Sequence, residues 1–195
     1  MMNQLKTFFA VILCALIAVH LIISAQEINT KDPTVRAAID FGSGAIKIQM
    51  AVVDPTKNCL VGKPLLAKYI GLGLTEDVAT HGRISDETAR KALSILSELK
   101  AEAEEMAVRE GHQSMQFTGI ATAVFRKANN GNDLLQRFEE QLGIKFKILS
   151  QDEEGMLGFL TAQAIFPDVS ESLLLAWDSG NGSFQMSVKQ DDNYT

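Results

Sequence analysis

Two short segments of this chain place an aspartate at the end of an apolar run and follow it with glycine and small polar residues: Asp40-Phe41-Gly42-Ser43 and Asp178-Ser179-Gly180-Asn181-Gly182-Ser183. A strand that delivers Asp into such a tip can wrap successive backbone N–H groups around a phosphate, because glycine has no side chain to hold the ligand off. The carboxylate beside it can orient a hydrated Mg²⁺, which keeps several waters and takes one or two carboxylates together with substrate phosphates. Either turn alone is ordinary hairpin chemistry. Two of them, with Asp in the same place, point to a phosphate clamp in which Asp40 and Asp178 face a metal and Gly42, Ser43, Gly180, Asn181, Gly182 and Ser183 form the cradle.

The elements that must position these turns can be read from periodicity. Residues 35–41 and 45–53 alternate as strands on either side of Gly42-Ser43-Gly44, and a third strand is expected over 60–70, where Gly62 and Pro64 confine it to an edge or break its start. These three strands are expected to form an antiparallel meander. Ser85-Asp86-Glu87 caps a helix whose apolar residues recur at three and four positions from Ala89 to Ala107, with Gly111 ending it. Residues 115–125 read as a strand, residues around Leu134, Leu135, Phe138 and Leu142 as a helix stopped by Gly143, and 145–149 as another strand. A helix over about 152–166 follows. Residues 173–177 read as the strand entering the second turn.

Four motifs carry a resemblance: Ala38-Ile39-Asp40-Phe41-Gly42-Ser43, Gly119-Ile120-Ala121-Thr122-Ala123-Val124-Phe125-Arg126, Leu149-Ser150-Gln151-Asp152-Glu153-Glu154 and Trp177-Asp178-Ser179-Gly180-Asn181-Gly182-Ser183. In order and spacing the chain resembles the exopolyphosphatase and guanosine pentaphosphate phosphatase (Ppx/GppA) family, over about residues 35–190. The resemblance implies an α/β, RNase H-like fold of the actin-like ATPase superfamily, with a mixed sheet, flanking helices and the incomplete start of a second such domain. It implies that Glu154 is the general base for an attacking water and that Arg126 holds phosphate with its planar fork. It also implies Mg²⁺ as cofactor, polyphosphate or guanosine pentaphosphate as substrate, and release of the terminal phosphate.

The chain departs from the family pattern at both turns. Gly44-Ala45-Ile46-Lys47 stands where the family has Asn-Ser followed by an apolar and a polar residue, with Lys47 a candidate to compensate. In the second turn Phe184 and Gln185 replace a hydroxyl residue and a glutamate, which puts metal binding there in doubt. Two readings therefore stay open, a phosphohydrolase or a catalytically silent phosphate- or nucleotide-binding module. An ATPase or sugar kinase of the same superfamily is a third and weaker one.

The 195 residues are 46% apolar and 22% charged, the composition of a globular protein, and the formal charge of −6 with no basic block excludes a nucleic-acid footprint. His20, His81 and His112 are too scattered for a catalytic triad or a zinc site, and no Gly-x-x-x-x-Gly-Lys-[Ser/Thr] loop is present. Residues 1–25, with Lys6 ahead of an apolar run over 8–23, read as an export signal or alternatively as a membrane anchor through 7–25. Without that segment Cys59 is the only cysteine, so no internal disulfide can form. Residues 33–147 suffice for one RNase H-like domain. The 48 residues from 148 to 195 supply only a linker helix and a first hairpin, so a longer chain, a partner or self-association through this unfinished domain is expected to complete it.

Overall fold

The computed structural model describes residues 34–54, 59–166, 168–190 and 193–194. The expected signal or anchor over 1–25 lies outside the described residues. The described chain divides into two compact units, 34–148 and 149–194.

The first unit is built on a five-stranded sheet in the order β3-β2-β1-β4-β5, with β1 Thr34–Phe41, β2 Ala45–Asp54, β3 Cys59–Gly71, β4 Met115–Ala121 and β5 Phe146–Ile148. β1 pairs antiparallel with β2, and β2 with β3, which is the expected meander. β4 pairs parallel with β1 and with β5, so the sheet is mixed. β3 lies at the edge, and its pairing with β2 jumps from Val52↔Val61 to Met50↔Leu66. Residues 62–65, with Gly62 at φ 79°, form a bulge opposite Ala51 in which Pro64 needs no ladder partner.

Period-2 alternation turns Val35, Ala37, Ile39 and Phe41 of β1 and Ile46, Ile48 and Met50 of β2 into one core. That core is closed by the apolar faces of α1 (Leu74–His81), α2 (Asp86–Arg109) and α4 (Gly131–Leu142), with the one-turn helix α3 (Ala123–Lys127) between β4 and α4. α2 starts as expected, with the Ser85 hydroxyl accepting from the Thr88 N–H, and Gly111 follows its end at φ 83°. α4 stops at Gly143, which is left-handed with φ 67°.

Two strands are shorter than the sequence suggests, because a strand extends only as far as its partner. The expected strand over 115–125 ends at Ala121, opposite Phe41 of β1 and Ile148 of β5, where both neighbours also end. Beyond it Thr122 breaks the ladder and α3 begins. The strand expected over 145–149 is confined to Phe146–Ile148.

The second unit holds α5 (Gln151–Ile165), a 3-10 turn at Glu171–Leu173, the hairpin β6 (Ala176–Ser179) and β7 (Phe184–Ser187), and the short pair β8 (Lys189–Gln190) and β9 (Asn193–Tyr194). α5 opens with a full capping box: Ser150 accepts from Glu153 N–H, and the Glu153 carboxylate accepts from Ser150 N–H. The expected strand over 173–177 starts only at Ala176, because the partner strand ends at Ser187, which faces Ala176.

Candidate phosphate-binding turns

The first turn joins β1 to β2. Gly42 N–H donates to Ala45 O at 2.9 Å and closes it, while Asp40 sits directly across the ladder from Lys47. Behind the tip, Leu72 N–H donates to Gly44 O at 2.9 Å, and the N–H and hydroxyl of Thr75 both donate to Ser43 O. Leu72, just after β3, and Thr75, in the first turn of α1, thus clamp the tip, and Ser43 is buried.

The second turn repeats this geometry. Gly180 N–H donates to Ser183 O at 2.9 Å, and Asp178 faces Gln185 across the ladder. Asp40 and Asp178, Gly42 and Gly180, Ala45 and Ser183, Lys47 and Gln185 each stand 138 residues apart. In both turns the first glycine uses its own N–H to close the hairpin, so that N–H is not available to a ligand. Neither Gly42 nor Gly180 has a positive φ, and a Cβ would make only ordinary contacts, at 3.4 Å from Ala45 O and 3.5 Å from Ser183 O. Folding does not demand glycine at either position.

Glu154 lies in the first turn of α5, behind the Ser150 cap, and its Oε2 is shielded from solvent. The next residue, Gly155, and Gly158 lie on the helix face packed against β6 and β7. A Cβ on Gly155 would meet Ser187 Oγ at 2.6 Å, and one on Gly158 would lie 3.5 Å from Asp178 Cβ. Two glycines three residues apart therefore let α5 lie close against the strand pair that bears Asp178, and bring the start of the helix, with Glu154, to that hairpin. Their spacing in an apolar segment was the available sequence signal.

Arg126 sits in α3, next to Phe125. The Phe125 ring meets Phe41 edge-on at 4.6 Å between centroids, and Phe41 is the residue between Asp40 and Gly42. The turn after α3 is fixed by Gly131, where a Cβ would fall 2.2 Å from Phe125 O. Arg126 is thus anchored through its neighbour to the strand that carries the first turn.

The residues present do not fit the implied Mg²⁺. Asp40 Oδ2 already accepts from Lys47 Nζ at 2.7 Å, so a dication at the first turn would sit against an ammonium. At the second, Gln185 is 7% exposed and presents a buried amide nitrogen, Nε2, with no hydrogen-bond partner. Glutamine offers a cation only its neutral Oε1, where a glutamate would bring a negative charge. Among the described residues no three His, Cys, Asp or Glu side chains gather as a metal-binding group.

The comparisons agree with the motifs. The Ppx/GppA phosphatase family matches residues 60–194. Exopolyphosphatase 1 of Mycobacterium leprae (strain TN) is 26% identical over 154 residues, covering 79% of this chain and 42% of that protein. Exopolyphosphatase 1 of Mycobacterium tuberculosis (strain ATCC 25618 / H37Rv) shows the same identity and coverage. Among solved structures, the Aquifex aeolicus Ppx/GppA family member superposes with a TM-score of 0.64 at 19% identity, over 84% of this chain and 50% of that one. An exopolyphosphatase from Cytophaga hutchinsonii ATCC 33406 does so with 0.61 at 16%, over 83% and 48%. The chain spans about half the length of these relatives, and it shares their α/β mixed-sheet fold. With the family matched over residues 60–194, from β3 through the second turn, the chain belongs to the Ppx/GppA phosphatase family.

Proposed function

We propose that this chain carries the phosphate-handling part of a phosphoric anhydride hydrolase that releases the terminal phosphate of polyphosphate or guanosine pentaphosphate. The observation that supports this best is the pair of register-matched turns, which keep glycine where neither backbone conformation nor crowding requires it. What the missing side chains leave is open backbone, and an anion can approach the N–H groups that follow. Phosphoryl transfer depends on positioning and charge stabilisation more than on covalent steps. The turn amides hold the terminal and neighbouring phosphate groups, Arg126 takes phosphate oxygens in its fork, and Glu154 removes a proton from the attacking water. The water oxygen bonds to phosphorus, the bridging P–O bond breaks, and its electron pair leaves on the shortened chain.

Orthophosphate release from polyphosphate and from guanosine pentaphosphate, each in Mg²⁺ and in EDTA, is the direct test. Glu154→Gln is expected to lower the rate by roughly 10²–10⁴-fold while substrate still binds. Equal rates for the two proteins would remove Glu154 from the chemistry. The buried Gln185 amide favours one second reading, a silent module that binds the same anions without turnover; for it, calorimetry shows binding and the assay shows no phosphate.

A further inference from the structure

Lys47 and Gln185 hold the same place in the two turns, each directly across the ladder from the turn aspartate. Both are donors. Lys47 Nζ lies 2.7 Å from Asp40 Oδ2, with both side chains about one quarter exposed, so the ammonium reaches the tip and stays open to solvent on one side. Gln185 is over nine-tenths buried beside α5, with Gly155 leaving room against its Cβ at 3.8 Å. Its Nε2 is out of contact with water and bonded to nothing. A buried N–H without an acceptor is costly, so an anionic oxygen brought to Gln185 would relieve that cost.

We infer that each of these side chains supplies at its own turn what a divalent metal would, so that each turn binds phosphate-chain anions without one. At the first turn Lys47 supplies the positive charge and Asp40 holds it in place. At the second the Gln185 amide donates to a phosphate oxygen in the position where a carboxylate would require a bridging cation. The ligand class is the linear phosphoric anhydride, and the inference rests on the phosphate-binding reading of the turns given above. It separates this chain from any relative that carries an acid at the second position, because an acid there cannot face a phosphate oxygen unless a cation lies between them.

The test is calorimetry of the full chain with inorganic tripolyphosphate, in EDTA and in excess Mg²⁺. Affinities within about threefold of each other in the two buffers are expected. Gln185→Glu is expected to weaken binding in EDTA by roughly 10–100-fold, the worth of a hydrogen bond to a charged group plus the new repulsion, and Mg²⁺ is expected to restore part of it. Because a carboxylate buried at 185 can unfold the hairpin, Lys47→Met supplies an independent variant at a partly exposed position. It should lose roughly tenfold or more in EDTA, and Lys47→Arg should recover most of that. Wild-type binding that EDTA abolishes and Mg²⁺ restores would overturn the inference and leave the phosphate-binding turns standing. Absence of binding in both buffers would overturn both.

Discussion

Gly155 shows how much of the second turn depends on a residue that touches no ligand. The position of a Cβ there is 2.6 Å from Ser187 Oγ, well inside contact distance, so alanine must displace either the serine side chain or the hairpin. Overpacking of this kind costs about 1–3 kcal/mol, against which alanine regains up to about 1 kcal/mol of helix propensity. Gly155→Ala is therefore expected to destabilise the second unit by about 1 kcal/mol in urea unfolding, and the added Ser187→Ala should recover most of the loss. A stabilised single variant would show that the helix and hairpin are not in contact. Their place in glycine-rich turns made Asp40 and Asp178 legible as candidates, while Glu154 and Arg126 were legible only through the resemblance to the family. The ion pair of Lys47 with Asp40 and the closeness of Gly155 to Ser187 were not legible. Each is set by which residues face one another across a ladder or a helix contact, and that is fixed only once the register exists.

Among the elements, the capped helices had clearer ends than the strands, although α1 and α3 were not expected at all. A helix satisfies its own backbone, so the Ser85 cap, the 3.6-residue spacing and a left-handed glycine locate it from local information, as α2 and α4 show. A strand needs a neighbour. The apolar run through Leu173, Leu174 and Leu175 has strand composition but no partner beyond Ser187, and the run after Ala121 outlasts β1 and β5. α1 and α2 meet through Asp77, whose Oδ2 accepts from Ser85 N–H at 2.6 Å and whose Oδ1 lies 3.1 Å from His81 Nδ1. Burial alone would raise the Asp77 pKa, but the Ser85 N–H, the Ser85 and Thr88 hydroxyls and His81 outweigh it and hold the carboxyl below its ordinary value. A depressed carboxyl stabilises the fold fully above its unfolded pKa of about 3.9 and loses that contribution as pH falls through the lower folded value. Asp77→Asn is thus expected to cost about 1–2 kcal/mol near neutral pH, with the gap to wild type closing in acid. A gap that stays constant down to the acid limit would mean the carboxylate charge plays no part.

On the scale of the whole molecule, the two units differ in how they bury apolar surface. The first closes a continuous core between sheet and helices. The second leaves Trp177 72% and Phe184 64% exposed on the hairpin face opposite α5, and Leu173 81% exposed in the 3-10 turn before it. Segments with few buried contacts open at low free energy, so amides over 173–188 should exchange well before those over 89–106. Trp177, the only tryptophan, should emit at long wavelength and be readily quenched. Protection of 173–188 equal to that of α2 in a monomeric sample would contradict this. The same contrast sets where the protein sticks to itself. The long outer strand β3 carries Lys63, Pro64 and Lys68 and is kinked at Gly62, all features that blunt an edge against pairing with another chain. β6 and β7 contain neither lysine nor proline, and both of their outer edges are unpaired within their two-stranded sheet. Self-association is therefore expected at the small hairpin rather than along β3, and Trp177→Lys or Met186→Lys should raise the soluble fraction on concentration, with no change from either variant counting against it.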